Sequence, residues 1–141
     1  MALARDRPYS SCNFRVRFDG SGGASIGFNV VELPPFEIDG SGKKDADPST
    51  QLPAPLVLRR GFDGSLTVYE LWNKARRARR STARTVTVEL LGEDRRSPVA
   101  AWVFRGCRPL RIRYSPLDAQ ASAVLLETLE LSYEAMEMTS G

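Results

Sequence analysis

A β-dominated α+β fold is predicted by three features of this 141-residue sequence. Residues 123–138 (AVLLETLELSYEAMEM) place Leu129, Leu131 and Tyr133 in alternation with Thr128, Glu130, Ser132 and Glu134. A period of two is that of a strand with one apolar and one polar face. Only residues 66–80 carry convincing helical spacing. The remaining apolar residues fall into short alternating runs separated by Gly, Pro, Ser and Asp, the residues of turns.

The first strand covers residues 13–19, with Phe14, Val16 and Phe18 facing one way and Arg15 and Arg17 the other. Asp19-Gly20-Ser21-Gly22-Gly23 has the composition of a hairpin turn. A second strand is expected over residues 25–31, with Ile26, Phe28 and Val30 on one face. Pro34-Pro35 interrupts it, and Phe36-Glu37-Ile38 continues as an extended or edge segment. Residues 39–55 change to Gly, Ser, Lys, Asp and Pro, a long polar loop of the kind that is mobile or ordered against a partner.

Residues 56–61 read as a short strand stopping at Gly61, after which Asp63 or Ser65 offers a helix N-cap. In the helix, Leu66, Val68, Tyr69, Leu71, Trp72 and Ala75 form one wide apolar face. Arg76, Arg77, Arg79 and Arg80 crowd its last turns, where they complement the negative end of the helix dipole. Residues 84–91 then set Val86, Val88 and Leu90 against Thr85, Thr87 and Glu89. After a polar turn, residues 99–104 carry Trp102 and Phe104, and Gly106 marks a bulge or bend. Leu110, Ile112 and Tyr114 alternate with Arg111 and Arg113 up to Ser115-Pro116, before the closing strand within residues 123–138.

One domain over residues 1–141 is expected, large enough to bury about 70% of its unfolded surface without a disulfide framework or structural metal. The N-terminal residues lack the apolar core of a signal peptide, and no apolar run reaches the ~20 residues of a membrane span. Both point to a soluble cytoplasmic protein.

Composition argues against catalysis. The chain has no histidine, which removes the commonest acid–base and metal-ligating side chain and the Ser-His-Asp and Cys-His nucleophile arrangements. Cys12 and Cys107 are too few for a thiolate zinc site and read as two buried thiols. Gly40-Ser41-Gly42-Lys43-Lys44 lacks the first glycine and the Ser/Thr of a phosphate loop. No catalytic residue, metal or cofactor is therefore expected. The net charge of +3 is modest, and the positive charge is almost all arginine, suited to planar contacts with carboxylates at interfaces. No aromatic residues interleave the arginine cluster at residues 76–80, so base stacking there lacks support.

Four stretches in this order resemble the tail tube protein family of contractile phages and related contractile injection systems. They are Asn13-Phe14-Arg15-Val16; Leu58-Arg59-Arg60-Gly61 with Leu71-Trp72-Asn73; residues 84–91; and Trp102-Val103-Phe104 through Pro109 and Leu117-Asp118-Ala119 to residues 126–131. The resemblance implies two packed antiparallel β-sheets, a barrel-like sandwich, with one flanking helix. It implies hexameric rings stacked into a hollow tube that a contractile sheath surrounds, with DNA or effector cargo in the lumen. Baseplate, spike and tube-initiator proteins are the further partners. Assembly is expected in the bacterial cytoplasm, and the product is part of a phage tail or a contractile particle. The loop at residues 39–55 departs from the family in being short and Pro-rich.

On that resemblance, Thr85, Thr87, Glu89, Thr128, Glu130, Ser132 and Glu134 are candidates to face the lumen. Arg15, Arg17, Arg111 and Arg113 are their partners or outer-face residues. Asp39, Lys43, Lys44, Asp45 and Asp47 are candidates for ring stacking, and Arg76, Arg77, Arg79 and Arg80 for contact with a sheath or neighbouring subunit. Alternatives are a baseplate or adaptor protein forming a single ring, an Hcp-like secretion tube, and a small basic nucleic-acid-binding β-barrel.

Overall fold

The computed structural model describes residues 7–19, 26–38, 54–78 and 83–141. Its elements are β1 (Phe14–Phe18), β2 (Val30–Glu32), β3 (Leu56–Gly61), α1 (Thr67–Arg77), β4 (Arg84–Leu91), β5 (Pro98–Tyr114), β6 (Leu126–Ser132) and β7 (Ala135–Ser140). All strand pairs are antiparallel.

The organising unit is a long bent hairpin. The two strands expected at residues 99–104 and 110–114 are one strand of 17 residues, β5. Gly106, at φ +67°, supplies the bend within it, a conformation costly to any residue with a Cβ. The closing strand divides at the same level, into β6 and β7, and both halves pair with β5. Around this hairpin the hydrogen-bonded path runs β1-β4-β5-β6-β3-β2, with β7 on β5. The strands thus form one connected seven-stranded sheet in place of two separate ones. Its two halves meet at the bend and share a single apolar cluster: Val16, Phe18, Val86, Val88 and Phe104 from one, Leu56, Leu58, Leu129 and Leu131 from the other.

Cross-strand register explains the phase of that cluster. Phe18, Val86, Phe104 and Met136 line up across β1, β4, β5 and β7, as do Leu58, Leu129 and Ile112 across β3, β6 and β5. Helix α1 lies against β5 and sends Val68, fully buried, into the cluster, with Leu71 packed beside it.

Several expectations need correction. The helix ends at Arg77, and Ala78 is extended. Leu66 is its N-cap, without a side-chain cap; Ser65 Oγ and Asp63 Oδ1 instead accept from Thr67 N at 3.3 Å and Ser65 N at 2.8 Å. The second strand covers three residues, and Val30 is exposed while Val31 packs on the core. The cause is an extra residue: Asn29 N donates to Arg59 O, and Val30 is also the register partner of Arg59, so the side-chain phase switches after Phe28. Phe36-Glu37-Ile38 forms no strand. Of the two cysteines expected to be buried, Cys107 is, but Cys12 is exposed just before β1.

Candidate functional site

The same device occurs on the polar face of each half of the sheet. On β4, Glu89 stands opposite Arg15 of β1; Arg15 Nε donates to Glu89 Oε1 at 3.1 Å and Arg17 Nη1 to the same oxygen at 3.4 Å. On β6, Glu130 stands opposite Arg111 of β5; Arg113 Nε donates to Glu130 Oε2 at 2.9 Å and Arg111 Nη1 lies at 3.7 Å. The glutamate side chains are 8% and 11% exposed, and the four arginines 40–66%. Each carboxylate therefore sits beneath an Arg-x-Arg pair from the adjacent strand. An almost buried carboxylate needs such partners. Because two guanidinium groups meet one carboxylate, each group keeps one positive charge and N–H donors facing outward.

The other candidate lumen residues take their places around these pairs. Thr128 is buried, and its Oγ1 accepts from Arg59 Nε at 3.2 Å; Arg59 Nη1 also lies 3.8 Å from Glu32 Oε1. Thr85 and Thr87 are half-buried on β4, on the side of Glu89. Ser132 is half-buried, with Oγ donating to Arg108 O at 3.4 Å. Glu134 occupies the break between β6 and β7, where its N–H donates to Arg105 O at 2.8 Å and its side chain lies over Gly106. Nearby, Arg105 Nη2 pairs with Glu137 Oε1 at 2.6 Å. Thr85, Thr87 and Glu89 share one polar face; Thr128, Glu130 and Ser132 lie on the other half, beyond the bend.

Of the arginine cluster, Arg76 donates to Asn73 Oδ1 from Nε and Nη2 at 3.2 and 2.6 Å and stacks 5.3 Å above the Trp72 ring. Arg77 is exposed beside it. Arg79, Arg80, Asp39, Lys43, Lys44, Asp45 and Asp47 lie outside the described residues.

One polar group escaped the sequence reading. Glu127, only 1% exposed, points into the core face, where Oε1 accepts from Arg60 Nε at 2.7 Å and Oε2 from Tyr114 Oη at 2.6 Å. Arg60 Nη2 also donates to Ser65 O at 3.1 Å, tying the approach to α1 onto the sheet. The signal was phase: Glu127 is in step with Leu129 and Leu131, and Arg60 with Leu56 and Leu58. Burial and the hydrogen bond to Glu127 push the Tyr114 hydroxyl up to about 12. Among the described residues no cluster of His, Cys, Asp and Glu could hold a metal ion, and no helix is long and apolar enough to cross a membrane.

No curated protein matches the chain. Among solved structures, a chain of the anti-feeding prophage (AFP) baseplate superposes with a TM-score of 0.79 at 24% identity, over 96% of this chain and 98% of that one. A chain of the PVC sheath-tube complex, an extracellular contractile injection system in its extended state, gives 0.70 at 17% identity, over 96% and 94%. Hcp1 from Flavobacterium johnsoniae gives 0.58 at 14% identity, over 91% and 95%. These are likenesses of fold. The profile of the T4-like virus tail tube protein gp19 family matches residues 10–137, from just before β1 into β7. The chain belongs to that tail tube family.

Proposed function

We propose that this chain is the repeating subunit of the inner tube of a contractile phage tail or injection system. In this reading its 141 residues act as one tube domain, six copies form a ring, and rings stack around a lumen that passes DNA or effector cargo. The observation that carries it is the reach of the family match, residues 10–137, which takes in both polar faces and α1. One polar face lines the channel. Its Arg-x-Arg and glutamate groups give a wall of ordered, mutually paired charge, which suits a structural role. Arg76 and Arg77, with Arg79 and Arg80, offer cationic contact to a sheath or neighbouring subunit, and residues 39–55 contact the next ring. Baseplate, spike and initiator proteins meet the tube at its end. Assembly takes place in the bacterial cytoplasm.

Negative-stain electron microscopy of the purified protein over a concentration series tests this reading. Six-fold rings or tubes are expected; a monomer at every concentration would refute it. A second reading, a baseplate or adaptor ring that does not polymerise, is favoured by the higher TM-score against the AFP baseplate chain than against the PVC sheath-tube chain, 0.79 against 0.70. Single rings without stacks would select it.

A further inference from the structure

The polar face of the β5-β6-β3-β2 half carries more positive than negative charge, and its layout limits what it can hold. Register places Arg108, Arg111 and Arg113 of β5, Glu130 of β6, Arg59 of β3 and Glu32 of β2 on this face. Arg59 and Glu32 lie 3.8 Å apart and balance one another at the β2 side. The β5 and β6 side then holds three arginines against one glutamate, an excess of two positive charges. Depth separates the two signs. Glu130 is 11% exposed, whereas Arg113 and Arg111 above it are 54% and 66% exposed. The charge a visitor meets on that side is therefore guanidinium.

The kind of anion follows from charge density and from the neighbouring side chains. Arg111 and Arg113 are two residues apart on an extended strand, so they repeat at ~6.8 Å, and Arg108 to Arg113 spans roughly 17 Å. Duplex DNA presents one negative charge per ~1.7 Å, about ten over that span, far above an excess of two. By the same register no aromatic side chain stands on this face, so the bases of a single strand would find nothing to stack on. An extended polypeptide with acidic residues at alternate positions presents one carboxylate per ~6.8 Å on one side, two or three over the same span. That density matches the arginine spacing. The pairing it needs is the one Arg113 already makes, Nε to a carboxylate oxygen at 2.9 Å.

We propose that the β5 and β6 part of this face binds an extended acidic polypeptide segment, with Arg111 and Arg113 taking carboxylates from alternate residues. The inference rests on the tube reading above: it selects this face as the wall that meets cargo and names acidic protein, in preference to nucleic acid, as the cargo it holds.

Fluorescence anisotropy with labelled poly-L-glutamate, on the purified full chain at roughly 50 mM salt where surface charges are little screened, tests it. Wild-type protein should bind polyglutamate. R111Q should weaken binding about two- to fivefold, the worth of one exposed ion pair, and R111Q/R113Q about tenfold. R111Q retains the Arg113–Glu130 hydrogen bond, so it should keep the wild-type melting temperature even if the double variant does not. R95Q/R96Q removes the same charge from the exposed turn between β4 and β5 and should bind within about twofold of wild type. No binding of polyglutamate, an equal loss in R95Q/R96Q, or tighter binding of duplex DNA that R111Q/R113Q weakens would each overturn the inference. Sedimentation of the same samples separates it from the tube reading. Rings that do not bind polyglutamate overturn this inference alone; protein that binds it but never forms a ring refutes the tube reading and leaves the binding face standing.

Discussion

Removing Arg60 while keeping Glu127 should destabilise the fold far more than losing any surface ion pair. The two side chains are 7% and 1% exposed and meet at 2.7 Å, and Arg60 also holds the Ser65 carbonyl at 3.1 Å. In R60M the Glu127 carboxylate keeps only the Tyr114 hydroxyl, at 2.6 Å. A buried charge left without its partner costs about 3–5 kcal/mol. For a chain of 141 residues that lowers the melting temperature by about 10–15 °C. Replacing both, as R60M/E127L, removes the unpaired charge, exchanges it for apolar contact, and should return stability to within about 1 kcal/mol of wild type. Tyr114, partly exposed, then bonds to water. Urea denaturation of the three proteins, at a concentration below assembly, measures this, since binding between copies would add to apparent stability. Loss of less than about 1 kcal/mol in R60M would refute the reasoning, because the pair would then behave as a solvated one. A double variant as unstable as the single would refute the part assigned to the unpaired charge.

At Gly106, alanine must adopt φ +67°, and its Cβ would lie 2.7 Å from Glu134 Cγ; G106A should lose at least about 1–2 kcal/mol by chemical denaturation, and adding E134A should relieve the crowding but leave the backbone strain. Cys12 is exposed, whereas burial pushes the Cys107 thiol up to about 11, so a thiol reagent near pH 8 should modify one cysteine in native protein and both in denaturant. Ultraviolet titration should find one tyrosine near 12 that is absent in Y114F. Since its pKa is raised above the ordinary ~10, the associated stability is complete below pH ~10 and is lost as pH climbs towards 12.

The strand-rich order, helix α1 and most core positions were legible, because period two survives wherever one face is buried: Val16, Phe18, Val86, Val88, Leu129 and Leu131 all lie in the core. Joins between strands were less legible. Nothing local to residues 98–114 distinguishes two strands from one bent strand, because the bend at Gly106 is completed by Glu134, 28 residues later in sequence and visible only once β6 and β7 pair with β5. The face switch at Asn29 and Val30 depends on where Arg59 sits in the neighbouring strand. Polar strand positions misled in a further way. Glu89, Glu130 and Thr128 look like solvated residues by alternation, but arginines on adjacent strands cover them, and such cover is a cross-strand property.

The central claim is that this chain assembles into rings that stack. Negative-stain electron microscopy of the purified wild-type protein, across a concentration series and paired with sedimentation of the same samples, tests it most directly. Six-fold rings that lengthen into tubes as concentration rises are predicted; a species that sediments as a monomer throughout, with no ring in any field, would contradict the account.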